Sequence, residues 1–413
     1  MTSNLLAALK SNQGKSNQVV VNPLIEAAKS GNQEGCAKAL EEPKTKVDQK
    51  DPEGLSALMY AASNGYMNVV KFLVEKGARI SAKDDGGETA LMKACKEGHQ
   101  EVLQFLVESQ LATKRKGPLG IGDAEKANEQ EKKRILDAKD DEGVTAMMKA
   151  AEQGETEVVK YLIDEGATVD LKDDEGWNAL MWAALQAQTD ICDMLVNEYG
   201  VSTEYCTEKG ETALQKAAAN GHVEVCEFLI ECSTKGGAAM VNQQDIEHQT
   251  ALMWASAEGH LATVKTLIEM EAKVDATTKL GKTALLLASQ FGREEVCKYL
   301  LRSNAKVDHQ DAEGQTALFG AVTADHKNLL QSLIESGCPL EARTKRGETA
   351  LMWAAMHQRL PCLKVLLDAG ATIHTQDENG QKAIDHAEGT LNSHIVELLR
   401  EASKKQPPLA EEQ

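Results

Sequence analysis

Gly143-Val144-Thr145-Ala146-Met147-Met148-Lys149-Ala150-Ala151 is one copy of a phrase that recurs through most of this 413-residue chain. Working outward, the copies begin at Gly54, Gly87, Gly176, Gly210, His248, Gly281, Gly314 and Gly347, with a degenerate one at Gly380. Six of the nine successive spacings are 33 residues, a seventh is 34, and the other two are 56 and 38. A fixed period in this range denotes a solenoid, in which each repeat is one supersecondary unit that buries its apolar face only against its neighbours.

The unit around the quoted copy reads as turn, short helix, tight loop, longer helix and extended return. Asp141-Glu142-Gly143 is turn chemistry, because glycine adopts a positive φ without steric cost. Thr145 stands where a helix N-cap belongs. Met147, Met148, Ala150 and Ala151 give a short helix that ends at Gly154. A second helix, Glu155 to Asp164, carries Val158, Val159, Leu162 and Ile163 as one stripe, and Gly166 ends it. Aromatic residues are only 4% of the chain, so Ala, Leu, Val and Met must supply the packing.

This unit resembles the ankyrin repeat. The family's Thr-Pro-Leu-His-x-Ala-Ala box appears as Thr349-Ala350-Leu351-Met352-Trp353-Ala354-Ala355. Gly98-His99, Gly221-His222 and Gly259-His260 match the opening of its second helix, and Gly166-Ala167-Thr168-Val169-Asp170 matches its return. The resemblance implies an all-α solenoid of stacked helix-turn-helix repeats with β-hairpin or turn tips, whose tips and inner helices bind other proteins. Two departures stand out. The box Pro is Ala in every complete internal repeat, and the box His is usually Met, which shifts that position towards apolar packing. His248 replaces a turn glycine and marks either a point of strain or an irregularity of register.

Residues 1–21 read as an N-terminal tail, 22–402 as a solenoid of about 11 units including caps, and 403–413 as a C-terminal tail. Residues 111–136 interrupt the array. They read as a solvated loop, with the charged stretch Asp123 to Arg134 as a short exposed helix.

The net charge of −19 argues against nucleic acid or an anionic membrane surface as a partner. No apolar run approaches the ~20 residues that span a bilayer, and the apolar stretch near Met1 is too short for a secretory signal. Nine cysteines without such a signal read as reduced thiols, which implies a cytoplasmic or nuclear protein.

No catalytic motif, cofactor loop or metal-ligand spacing is present, and the segments outside the repeats are too small for a catalytic domain. Cys36, Cys192, Cys226 and Cys297 share one core-facing position, and Cys95 replaces a box Ala. His99, His222, His260 and His326 share a structural position, and Trp182, Trp254 and Trp353 occupy one packing position on the first helix. The expected activity is a non-catalytic protein-interaction scaffold or adaptor, with no cofactor and no small-molecule substrate. The alternatives are a regulatory or targeting subunit of an enzyme, and a substrate for hydroxylation at the Asx of the return, where Asn242 is the sole Asn.

Carrying the family's binding surface onto this chain selects Leu55, Glu88, Asp141, Glu142, Asp174, Glu175, Trp177, Leu185, Glu208, Glu211, Phe291 and Met356. Acids dominate the N-terminal two-thirds of that surface. Trp177, just past a turn glycine, is expected to be the more exposed tryptophan. The surface suits a basic, partly apolar protein segment.

Overall fold

The computed structural model describes residues 22–114, 121–389 and 393–406, without the side chains of 113, 114 and 121–127. Helices alternate as the period predicts. The first helix of each full repeat has seven or eight residues, as in Ala57–Ser63, Ala146–Gln153 and Ala317–Thr323. The second typically has nine, as in Met67–Glu75 and Thr156–Asp164. Among the described residues there is no strand. The hairpins show only isolated antiparallel bridges, including Lys139 with Thr145.

The expected caps form. Thr145 Oγ1 accepts the Met148 N–H at 3.4 Å, and Thr89 Oγ1 accepts the Met92 N–H at 3.3 Å. The box Met adds a contact not expected from its apolar character. Met59, Met148 and Met352 each turn Sδ back to the N–H of the capping residue, at 3.4, 3.5 and 3.4 Å. Where this position is Gln215, Oε1 accepts the Thr212 N–H at 3.0 Å and Nε2 donates to Gln249 O of the next repeat at 2.9 Å.

The chain falls into two compact units, Met1–Ala150 with Glu157–Thr168, and Ala151–Thr156 with Val169–Gln413. In the N-terminal unit Leu24, Leu58, Met59, Leu73 and Leu106 form the core, and Ala57, Ala61, Ala90 and Ala94 are buried on neighbouring first helices. In the C-terminal unit Ala217, Ala255, Ala288, Ala321 and Ala354 are fully buried on the first helices. A methyl group at these sites allows close approach of backbones, and larger residues would separate the repeats.

Each departure from the 33-residue period is absorbed at the second helix or just after it. The 34-residue spacing corresponds to a π-helical turn, Met194–Glu198, which takes up one extra residue. The 38-residue spacing holds an added helix, Gly237–Val241. In the 56-residue spacing the second helix runs on to Lys114, and a further helix, Ile121–Leu136, follows.

A helix forms over the charged stretch Asp123 to Arg134 and extends beyond it, so that helical structure at Gln100–Lys114 and Ile121–Leu136 takes up most of the expected loop. Ile135 and Leu136 are buried, and Lys132 pairs with Glu165. An apolar C-terminal turn on a charged helix accounts for this, because it lets the insertion dock while its polar face stays wet. The hairpins stay in register across the insertion. The Asp141 N–H donates to Gly86 O at 3.1 Å, and Lys83 Nζ donates to Lys139 O at 2.9 Å.

The expectations for residues 1–21 and for the part of the insertion at 115–120 lie outside the described residues. The last helix, Ser393–Lys405, crosses the boundary expected at 402.

His248 has φ 61°, the left-handed conformation that its neighbours reach with glycine. Replacing His248 by Gly removes the Cβ conflict but adds freedom to the unfolded chain. The expected net gain is about 0.5–1 kcal/mol, read as a higher denaturation midpoint. An unchanged or lower midpoint would show that the turn holds no strain.

Candidate partner-binding surface

The tips are built on one recurrent device. The Asp that opens a hairpin uses Oδ1 to accept two backbone N–H groups, as Asp140 does from Glu142 and Val144 at 3.0 and 2.8 Å. Its Oδ2 meets a donor nine residues later, directly after the box Met. The donors are Tyr60 to Asp51 at 2.7 Å, Lys93 to Asp84 at 2.9 Å, Lys149 to Asp140 at 2.8 Å and Trp182 Nε1 to Asp173 at 3.0 Å. His386 Nε2 lies 3.0 Å from Asp377. This register explains why Lys, Tyr, Trp and His interchange at one position: each can present an N–H or O–H donor to a carboxylate.

The same device absorbs several of the sequence-selected residues. Glu88 is not a free tip acid, because it lies between Lys93 and Lys149 and pairs with both. Burial pushes its carboxyl up, but the hydrogen bonds and charges of Lys149 and Lys93 outweigh this and hold it below the usual range. Glu211 pairs with Lys216 at 2.8 Å, and Glu175 with Lys209 at 2.6 Å.

Trp177 is half-buried rather than prominently exposed. Its ring lies 5.2 Å from that of Trp182, and Lys216 Nζ sits 4.2 Å from its centre. Leu55 packs on the N-terminal core. Leu185 and Met356 are half-buried, and Leu185 O faces His222 Nε2 at 2.9 Å.

Asp141, Glu142, Asp174, Glu175 and Glu208 remain exposed. Lysines nevertheless interleave with the tip acids. Lys83 approaches Asp141 at 3.9 Å, Lys279 approaches Glu247 at 3.5 Å, and Lys345 approaches Glu313 at 4.0 Å. The tips are therefore more evenly charged than the run of acids suggests.

Phe291 stands apart from that pattern. Leu280, Phe291 and Ile246 are 63%, 53% and 49% exposed. Leu280 and Phe291 line an open groove of about 370 Å³ with Met253, Trp254 and Leu287. Glu247, Glu258 and Lys282 stand at its rim.

Sequence reading placed Trp254 with the packing tryptophans and so missed this floor. The available signal was the pair of registers involved. The residues after the box position are Trp254 and Leu287, and those after the turn are Gln249 and Lys282. Lys282 is the one charge among these four, and it donates to Gln290 Oε1 at 2.7 Å. Leu280 and Phe291 are left exposed beside the half-buried Trp254 and the buried Leu287 and Met253.

The remaining chemistry-bearing residues tie repeats together. Nε2 of His99, His222 and His260 lies 2.9, 2.9 and 3.1 Å from carbonyls of Ser63, Leu185 and Ala219 in the preceding repeat. Return-segment residues do the same. Asp48, Asp137, Asn242 and Asp275 each accept a backbone N–H from 31 residues later. The thiols of Cys192, Cys226 and Cys297 are buried, which pushes each up to about 12. Cys206 is exposed.

The family model for ankyrin repeats (three copies) matches residues 7–116, 124–206, 199–278, 271–344 and 328–407. The chain belongs to the ankyrin-repeat family. No curated protein matches it. Ankyrin repeats are generally protein–protein interaction modules and typically non-catalytic. No helix among the described residues is long and apolar enough to cross a membrane.

Proposed function

We propose that this ankyrin-repeat chain is a non-catalytic scaffold or adaptor that captures a protein segment on the Leu280–Phe291 groove. The supporting observation is the pair of side chains, each more than half exposed, beside Trp254 in an open apolar groove. Covering such surface is favourable by about 25 cal/mol per Å², and large aromatic and aliphatic anchors dominate binding when buried at a contact centre. The net charge of −19 steers basic segments towards the chain, and the exposed Asp174, Glu175 and Glu208 belong to the same unit. Trp177 contributes through whatever face Lys216 leaves open.

The test compares affinity capture from native extract by the full chain and by a Leu280→Ser, Phe291→Ser variant. Both side chains are exposed, so the melting curve should not move. A partner held through them should weaken by about 2 kcal/mol or more, roughly 30-fold. Equal recovery of every captured protein by the two chains would remove the groove as the binding site.

A further inference from the structure

Seven hairpins open on Asp, and in five of them Oδ2 meets the donor nine residues on. Among the described residues Asp245 and Asp311 take no such bond. At Asp311 the register holds Gly320, which has no side chain to offer. The packing requires that glycine: a Cβ there would lie 2.5 Å from Ser289 Oγ and 2.8 Å from the Gln290 backbone N.

What remains is a cavity of about 170 Å³, bordered by Asp311, Gln290, Gln315, Thr323, Trp353 and Lys282. Asp311 is only 8% exposed. Its Oδ1 is taken by the N–H groups of Glu313 and Gln315, both at 2.9 Å. A carboxylate oxygen thus borders the cavity without the donor that the other repeats supply. That oxygen is left to solvent in the cavity, so a ligand donor placed there makes a charge-assisted bond that the chain itself does not supply.

We propose that this cavity receives an arginine side chain from the bound segment, an assignment that rests on the groove reading above. Lys282 and Gln290 border both cavities, so one segment can place an apolar residue against Phe291 and an arginine beside Asp311. A guanidinium donates to the carboxylate while its plane stacks on Trp353. The chain already pairs cations with rings in this way, with Lys216 4.2 Å from Trp177 and Lys172 4.2 Å from Tyr205. Lys282 opposes a second cation, but its ammonium is drawn to Gln290. Removing that charge should therefore strengthen binding of arginine and weaken binding of an acidic side chain.

The probes are short fluorescein-labelled alanine-based peptides with one Phe and one Arg at varied separation, titrated against the full chain by fluorescence anisotropy. At least one separation should bind, and changing its Arg to Gln or Glu should weaken it about tenfold or more. Asp311→Asn keeps an acceptor for the turn and should weaken the Arg peptide similarly, whereas Lys282→Gln should tighten it several-fold. Phe291→Ser should abolish binding. Equal binding of Arg, Gln and Glu peptides, no binding at any separation, or opposite responses to Lys282→Gln would overturn the assignment. Loss with Phe291→Ser alone, with Asp311→Asn indifferent, would sink the arginine site and leave the groove. Indifference to both would remove both.

Discussion

Replacing Phe319 by Ala should destabilise the C-terminal unit by about 4 kcal/mol, the largest effect expected of any single change considered for this chain. Phe319 is 1% exposed and occupies the box position that holds Met in most repeats. Its ring meets Trp353 edge-on at 5.7 Å and 85°. Truncation removes buried area and leaves a hole that the close-packed first helices cannot collapse to fill. Loss of the edge contact adds about 0.5–1.5 kcal/mol to the transfer cost. Phe319→Met returns the residue usual at this register and should cost less than about 1.5 kcal/mol. Chemical denaturation followed by far-ultraviolet circular dichroism distinguishes the two. Equal midpoints for the Ala and Met variants would mean that Phe319 does not fill the core as described. Because Trp353 walls the Asp311 cavity, Phe319→Ala should also weaken peptide binding there.

Glu88→Ala should cost the N-terminal unit about 3 kcal/mol. The side chains run Asp84, Lys93, Glu88, Lys149, Asp140, so the central carboxylate joins two repeats across the insertion. Removing it leaves two largely buried ammonium groups, each with one acid in place of two. Breaking a buried ionic array costs more than its net worth, because the remaining charge is already desolvated.

The pH dependence has a definite sign. The Glu88 carboxyl lies below its ordinary 4.5 in the folded chain, so its contribution is fully present above that pH. It is lost as pH falls through the lowered value. Burial pulls Lys93 and Lys149 down, but their acid partners outweigh this and raise both above 10.5. Their contribution is present below that pH and fades as pH rises through the raised values. The gap between wild type and Glu88→Gln should thus be wide at neutral pH and close in acid. A gap independent of pH would show that Glu88 acts through packing alone.

How far the site was legible follows from the same residues. Phe291 was selected from its register. Lys149 beside Glu88, and the lysine over Trp177, were not foreseen, since both come from residues in the following repeat. Lys149 lies 61 positions from Glu88 because an insertion intervenes, and no local pattern joins them. The donors to the hairpin Asp residues are chemically unlike one another, so their shared role shows only once the distance to Oδ2 is known.

By itself the sequence determined the ankyrin architecture, the turn glycines, the threonine caps and the burial of most cysteines. These follow from short-range rules repeated in every unit: φ preference, cap chemistry and apolar spacing. Tertiary structure alone decided where the irregular spacings went. The π-helical turn, the added helix and the helical insertion all lie at or after second helices, while the first helices and hairpins stay in register. The physical reason is packing. First helices meet through fully buried alanines and tolerate no extra residue, whereas the second-helix side has solvent into which chain can expand. Stacking also imposed left-handed backbone on Ala187, Asp325 and Gln358, where no glycine announced a turn. It also set Gly320 against Ser289, leaving Asp311 without the donor that five other hairpins receive.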